Sequence, residues 1–337
     1  MRFFILVLLA GSWAFAQGEA KNPFVMNGFH LLAWTPEGYA QAQAGQSLRD
    51  IAATGANWVV ITPFKFMADK NASVISWKND AAGDDALRGI IRQAKALGLK
   101  IALKPHVDSR DGTFRGFIDP MDTTAWFVSY SSMIFHYAAL AEQSGADAYV
   151  VGTELMSMTK PLFAGYWQQI IRQTRRIYHG HLTYAAFMLE FGGISFWPEL
   201  DSIGVDAYFP MGKPGSSATA GQMTKIWRTV YIPALRVLAR INGKPILFSE
   251  IGISSQEGAH VMPWVYRRIG KINLEVQADY FAAFFDAFDG QDSWFLGFWQ
   301  WGWTVDPNDG GPNDHTHAIE GKPALEVLKR EFTKKSD

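Results

Sequence analysis

The 337-residue chain contains no cysteine, which excludes a disulfide scaffold, a cysteine-ligated zinc site and a thiol nucleophile. It has no surplus of either charge: 31 Lys plus Arg stand against 32 Asp plus Glu, for a net charge of −1. With no basic excess to neutralise phosphates, the sequence argues against nucleic acid as a partner. It lacks low-complexity tracts, linkers and motif-level repeats. Beyond its first residues no run is long and apolar enough to cross a bilayer. What the chain has in abundance is aromatic: 24 Phe, 13 Trp and 11 Tyr, 14% of the residues. With 48% hydrophobic and 19% charged residues, the composition is that of a globular protein with a substantial core.

The first residues read as an address. Met1-Arg2 precedes an apolar run from Phe3 to Leu9, and Ala14-Phe15-Ala16 closes it with small residues. That is the pattern of a secretory signal peptide cut after Ala16. The apolar run is too short to span a membrane comfortably, and no cysteine follows it to carry a lipid. Residues 17–337 are therefore expected to form one exported domain, periplasmic or extracellular, with no membrane partner once the leader is removed.

After the leader, short apolar runs alternate with amphipathic stretches. The runs are Phe29–Trp34, Trp58–Phe64, Lys100–Val107, Ala148–Leu155, Leu182–Phe187, Ile203–Phe209, Pro245–Ile251 and Phe295–Trp303, rich in β-branched and aromatic residues as buried strands are. Helical patterns cover Asp84–Leu97, Thr123–Gln143, Phe163–Tyr178, Gln222–Ala239, Leu274–Phe288 and Ala324–Phe332. Strands and helices alternating in this way predict an α/β fold, a single (β/α)8 TIM barrel. A doubly wound sheet would carry a Gly-rich phosphate turn after its first strand, where this chain has Trp34-Thr35-Pro36.

In such a barrel the functional side chains gather at the C-terminal ends of the strands. Reading those ends gives Trp34, Lys65, Lys104 with His106 and Asp108, Glu154, Phe187, Asp206 with Tyr208, Glu250, and Trp299, Trp301 and Trp303. Glu154 ends the fourth run and Glu250 the seventh, each in an apolar setting, so they face one another across one mouth. Either alone could brace the barrel as an ion-pair partner. Two together, one protonated and one ionised, are the machinery of glycoside hydrolysis. Tryptophans fit the same chemistry, because a pyranose presents a face of C–H groups to an aromatic ring. The period-two spacing of Trp299, Trp301 and Trp303 predicts that they share one face of a strand, one filling the barrel and Trp301 or Trp303 left as a sugar platform.

No cofactor or metal set is evident. Asp306-Pro307-Asn308-Asp309-Gly310-Gly311 hints at calcium, but its twelfth position is His317 rather than Glu, so a polar loop is expected. His179 with His181, and His315 with His317, are close pairs without the helical H-E-x-x-H frame. A barrel that binds carbohydrate without cleaving it is the reading from another class; such proteins usually lose a carboxylate first, and both are present.

The chain resembles glycoside hydrolase family 113, β-1,4-mannanases on a (β/α)8 barrel that act with retention. The resemblance rests on Trp34-Thr35-Pro36 with Gly38-Tyr39, Thr54-Gly55-Ala56-Asn57-Trp58, and Lys104-Pro105-His106-Val107-Asp108 with Arg110-Asp111-Gly112-Thr113. It continues through Val151-Gly152-Thr153-Glu154-Leu155, Leu182-Thr183-Tyr184-Ala185-Ala186, Ile203 to Pro210, Ser249-Glu250-Ile251-Gly252 and Gly321-Lys322-Pro323-Ala324. The resemblance implies Glu154 as acid/base and Glu250 as nucleophile, with Tyr208 as the tyrosine that hydrogen-bonds the nucleophile. It implies Trp299 or Trp301 beneath the sugar, and Lys104 and His106 as polar contacts. Trp34, Thr153 and Asp206 complete the expected substrate-binding set. Much of the wider clan places Asn directly before the acid/base; here the position is Thr153, which leaves the contact to the sugar 2-hydroxyl unassigned. The segment Asp314 to Glu320 also departs from the family pattern. The implied partner is a β-linked oligo- or polysaccharide, mannan-type first, with a related β-glycanase or an exo-β-mannosidase as the alternatives.

Overall fold

The computed structural model describes residues 24–78, 82–216 and 219–334. The expected leader, 1–16, lies outside the described residues.

Eight parallel strands close a barrel. In chain order the first part runs β1 (Met26–Leu32), α1 (Ala42–Ala53), β2 (Trp58–Ile61), β3 (Phe64–Met67), β4 (Ile75–Ser76), α2 (Asp84–Ala96), β5 (Lys100–Leu103), β6 (His106–Ser109), α3 (Thr123–Ser144), β7 (Ala148–Thr153), α4 (Ala164–Ile177) and β8 (His181–Phe187). It continues with β9 (Ile203–Asp206), α5 (Ala220–Ile226), α6 (Ile232–Asn242), β10 (Ile246–Ile251), α7 (Leu274–Phe288), β11 (Phe295–Thr304) and α8 (Pro323–Phe332). The barrel order is β1-β11-β10-β9-β8-β7-β5-β2. This is the expected single (β/α)8 barrel. Every residue of β1, β2, β7 and β10 is buried, which explains why these strands read as continuous apolar runs rather than alternating ones.

Two of the expected strands are each divided by a proline. Pro63 and Pro105 lack the N–H that a ladder needs, so the barrel strands β2 and β5 stop before them. Beyond the prolines the chain starts again as β3 and β6, which pair in parallel in a small separate sheet whose other edge is β4, paired antiparallel to β3. The His106 N–H donates to the Pro63 carbonyl at 2.9 Å, so the second sheet begins directly at the mouth. Pro233 stands at the start of α6, and a π-turn over Trp227–Tyr231 joins α5 to α6. Helix α1 has no counterpart in the sequence reading. Its buried face is made of Ala44, Gly45, Ser47, Leu48 and Ile51, too lean in large apolar residues to show a periodic stripe. Between β8 and β9 there are only two 3-10 turns, Phe191–Gly193 and Trp197–Glu199.

The core has two layers. Met26, Trp58, Val60, Ala102, Ala148, Val150, Ala185, Leu247 and Trp299 fill the barrel, and a larger set packs strands against helices. The three tryptophans of β11 do not share a face as their spacing predicts. The pairing of β1 with β11 shifts register between Phe29 and Leu31, and Gly302 sits at φ +123°, a conformation that favours glycine. The shift sends Trp303 outward, edge-on against Phe29 with ring centroids 5.3 Å apart. Trp299 points into the barrel and Trp301 to its mouth.

Candidate active site

The C-terminal ends of the barrel strands, with the start of β6, deliver the site. Glu250 is buried on β10, and each of its oxygens is engaged. The Lys104 ammonium, from the turn after β5, donates to Oε1, while the Tyr208 hydroxyl donates to Oε2 at 2.7 Å. His106 Nε2 lies 3.8 Å from Oε1. Lys104 also reaches Asp206 Oδ1 at 3.5 Å, and the Ser249 hydroxyl donates to that same oxygen at 2.8 Å. Behind them His30, mid-strand in β1, faces the Ser249 carbonyl with Nε2 at 2.9 Å. A carbonyl only accepts, so that nitrogen carries the proton.

Glu154 follows β7 and is buried. Among the described residues it is the one non-glycine at positive φ, +52°. Such strain persists where surrounding bonds hold it. Here the Glu154 N–H donates to the Ala185 carbonyl, and the next N–H, of Leu155, donates to the Tyr184 hydroxyl, both at 2.8 Å. The carboxyl accepts from Arg115 Nη1 at 3.2 Å, and Arg115 Nε in turn donates to Asp108 Oδ1 at 2.9 Å.

The two glutamates occupy opposed electrostatic settings. Burial, with the Asp206 and Glu250 carboxylates nearby, pushes the Glu154 carboxyl well above the usual range, and Arg115 only partly offsets this. Burial alone would raise Glu250 too, but the Lys104 charge and the Lys104 and Tyr208 hydrogen bonds outweigh it and hold it below its ordinary value. Asp206 is raised by burial and by Glu250. Burial, reinforced by Lys104, brings His30 down to about 3, and burial with Arg115 and Lys104 lowers His106, so both imidazoles are neutral at the pH of most catalysis.

The remaining expected residues fall around this network. Trp301 lies parallel to His106 with centroids 5.7 Å apart, and its ring also meets Trp34 at 6.4 Å. Trp34, 57% exposed, forms the rim against Phe64. Thr153 is buried, and its hydroxyl has no hydrogen-bond partner. Trp299 does not reach the mouth: it is fully buried among the barrel-filling residues, 5.9 Å from Trp58, so its place as a sugar contact is corrected to that of a core residue. The reading missed His30, Ser249 and Arg115. The first two sit inside apolar strands, and Arg115 lies in a loop without periodicity. The signal available for Arg115 was its place seven residues beyond Asp108, a strand-end carboxylate in need of a cation.

Other sequence features are spent elsewhere. His179 pairs with Glu142, His181 with Ser202, and His317 with the Pro263 carbonyl. Asp306, Asp309 and Asp314 bond Asn308, Thr304 and Lys322 respectively. Among the described residues no three His, Asp or Glu side chains converge as a metal site.

Carboxyl groups tuned apart across the mouth of an eight-stranded barrel are what cleavage of a glycosidic bond requires, and they mark the class as a barrel glycoside hydrolase. The chain belongs to Glycoside Hydrolase Family 113, whose family model matches residues 30–322. It is similar to the solved GH113 β-mannanase AaManA from Alicyclobacillus acidocaldarius in complex with ManMIm, at 30% identity over 92% of this chain and 97% of that one, with a TM-score of 0.82. A GH113 β-1,4-mannanase structure matches at 27% identity over 93% of this chain and 100% of that one, TM-score 0.83. A complex of a GH113 β-1,4-mannanase matches at 26% identity over 93% and 99%, TM-score 0.82. A comparison with curated proteins gave no match.

Proposed function

We propose that the protein hydrolyses β-1,4-mannosidic bonds in mannan or mannooligosaccharides with retention of anomeric configuration. The observation that carries the hydrolytic part of this reading is the opposed setting of Glu154, which burial and neighbouring carboxylates favour as the acid, and Glu250, which Lys104 and Tyr208 favour as the carboxylate; retention is what the family resemblance implies. The β-mannanase identity of the matched structures supports the substrate.

In the first step the Glu250 carboxylate attacks the anomeric carbon as the bond to the leaving oxygen breaks. Glu154 gives that oxygen its proton, leaving a glycosyl ester on Glu250 and a carboxylate at Glu154. In the second step water attacks the same carbon, the ester bond breaks, and Glu154 takes the water's proton, so both groups return to their starting states. Lys104 and Tyr208 hold the Glu250 carboxylate in one orientation and supply the hydrogen bonds that keep it ionised. Trp301 and Trp34 offer the apolar faces on which pyranose rings rest.

The test is hydrolysis of β-1,4-mannan and mannooligosaccharides beside cellulose- and xylan-derived oligomers, with Glu250→Ala as control, following the first-formed anomer by proton NMR. Internal cleavage of the mannan series that yields the β-anomer first and is lost in E250A is the expected result. An α-anomer formed first overturns retention, and preferred cleavage of another β-glycan overturns the substrate.

A further inference from the structure

Glu154 is asked for two opposite states in one turnover, and the structure gives it one cationic contact among the described residues. That contact is built with care. Arg115 opens a short 3-10 turn, Arg115–Phe117, and the turn is stapled to the segment after Glu154. The Ser157 N–H and hydroxyl both donate to the Gly116 carbonyl, at 3.0 and 2.9 Å, and the hydroxyl reaches the Ile118 carbonyl at 2.6 Å. Gly116 permits the approach, since a Cβ there would meet the Phe114 ring at 2.5 Å and the Glu154 carbonyl at 3.3 Å. The guanidinium is itself held between two carboxylates, with Nη2 at 2.8 Å from Asp108 Oδ1 and Nη1 at 3.2 Å from Glu154 Oε2.

We propose that Asp108 and Arg115 form a positioning pair for Glu154: Arg115 orients its carboxyl and favours the ionised form, and Asp108 limits how strongly it does so. The inference rests on Glu154 being the acid/base. An unopposed guanidinium would hold Glu154 as a carboxylate, useful for the second step and useless for the first. A carboxyl with no cation, beside the carboxylates of Asp206 and Glu250, would take up a proton and not release it. The divided guanidinium lies between these extremes. The other charged or titratable groups facing Glu154 are Lys104 after β5, Asp206 on β9, Tyr208 after β9 and Glu250 on β10. His106, on β6 beside Arg115, stays neutral. Substitution at 108 or 115 removes none of these groups, though loss of the Arg115 charge also relieves His106 and lets Asp206 rise.

The experiment is the pH dependence of kcat/KM on a mannooligosaccharide for the wild type, Arg115→Gln, Arg115→Lys and Asp108→Asn. The alkaline limb reports loss of the acid's proton in the free enzyme. Removing the cation raises the proton affinity of Glu154, so R115Q moves that limb to higher pH. Removing the anion behind the cation lowers it, so D108N moves the limb to lower pH, each by about one unit. R115K, which keeps the charge, returns the limb toward wild type. Limbs that stay in place, or move the same way in both variants, overturn the proposal. A raised KM with an unmoved limb also overturns it and makes Arg115 a sugar contact. Failure of the underlying reading looks different: Glu154→Gln would then retain wild-type turnover.

Discussion

The imidazole of His106 stacks on the indole of Trp301, the two planes 1° from parallel and the centroids 5.7 Å apart, and neither of its ring nitrogens has a hydrogen-bond partner. This neutral, fully buried histidine lies 3.8 Å from Glu250 with both nitrogens unpartnered, which makes its proposed role as a polar contact to substrate directly testable. Its pairing with Trp301 sets the ring plane and so fixes where each nitrogen lies. His106→Phe keeps the stack and removes the nitrogens. The expected result is a fall in kcat/KM of roughly 10- to 100-fold, the value of a lost hydrogen bond in a buried site. Thermal stability should hold or rise, because no satisfied bond is broken. Steady-state kinetics with a melting curve on the same sample decides it, and unchanged kinetics rejects the role.

The tryptophans of β11 allow packing and proposed recognition to be tested apart. Trp299→Ala removes a fully buried side chain from the barrel and is expected to cost about 3–5 kcal/mol of stability. Trp301→Ala removes a half-buried ring at the mouth, so KM should rise while the unfolding midpoint stays close to wild type. Denaturant titration and kinetics on both variants test this. Equal loss of stability in the two would mean that Trp301 is also core.

The same strand shows what could be read before the structure and what could not. Glu154 and Glu250 stood out because strands covered on both faces are almost wholly apolar, so a carboxylate at the end of one has to be explained. Eight such runs with helical patterns between them set the barrel for the same reason. Period two failed at Trp303 because a shift in pairing at Gly302 turns the chain over, and no residue type announces which glycine will do so. Pro63 and Pro105 did carry the information that β2 and β5 stop there, since neither can donate to a ladder; apolarity on both sides masked it. Arg115 had no periodicity to mark it, only its place seven residues beyond Asp108, and His30 was hidden because its partner, the Ser249 carbonyl, is 219 residues away.

Lys104 is the buried cation against Glu250, and Lys104→Met leaves that carboxylate with the Tyr208 hydrogen bond and the neutral His106 at 3.8 Å. Glu250 is held below its ordinary range in the folded protein, so it contributes stability that is present above the unfolded value near 4.5 and lost as pH falls through the folded one. Without Lys104 burial dominates and the carboxyl rises. The acid limb of kcat/KM should therefore move to higher pH, and stability at neutral pH should fall by about 3–5 kcal/mol, as it does when one partner of a buried pair is removed. The loss should shrink at low pH, where Glu250 can neutralise itself. A pH series of denaturant melts beside the rate profile tests both. An unmoved acid limb would show that Lys104 does not set the charge of Glu250.

Glu190 acts at one remove from the site. It accepts from the Tyr184 hydroxyl at 3.1 Å and from the Phe187 N–H at 2.9 Å, and Tyr184 in turn accepts the Leu155 N–H beside the strained Glu154. Burial pushes Glu190 up to about 7, against those hydrogen bonds. The sign follows from a folded value above the unfolded one. Its contribution to stability is whole below about 4.5 and is lost as pH rises through about 7, up to about 3 kcal/mol. Glu190→Gln supplies a neutral group of the same shape. Relative to wild type, the variant should gain stability as pH is raised from 5 to 8, roughly in proportion to the ionisation it avoids. Tyr184→Phe should behave differently, because it strips the acceptor from Leu155 N–H and loosens the backbone that aims Glu154. Activity should then fall most on substrates whose leaving group needs a proton and least on aryl glycosides that depart unaided. Equal losses on both substrate types would separate Tyr184 from the aim of the acid.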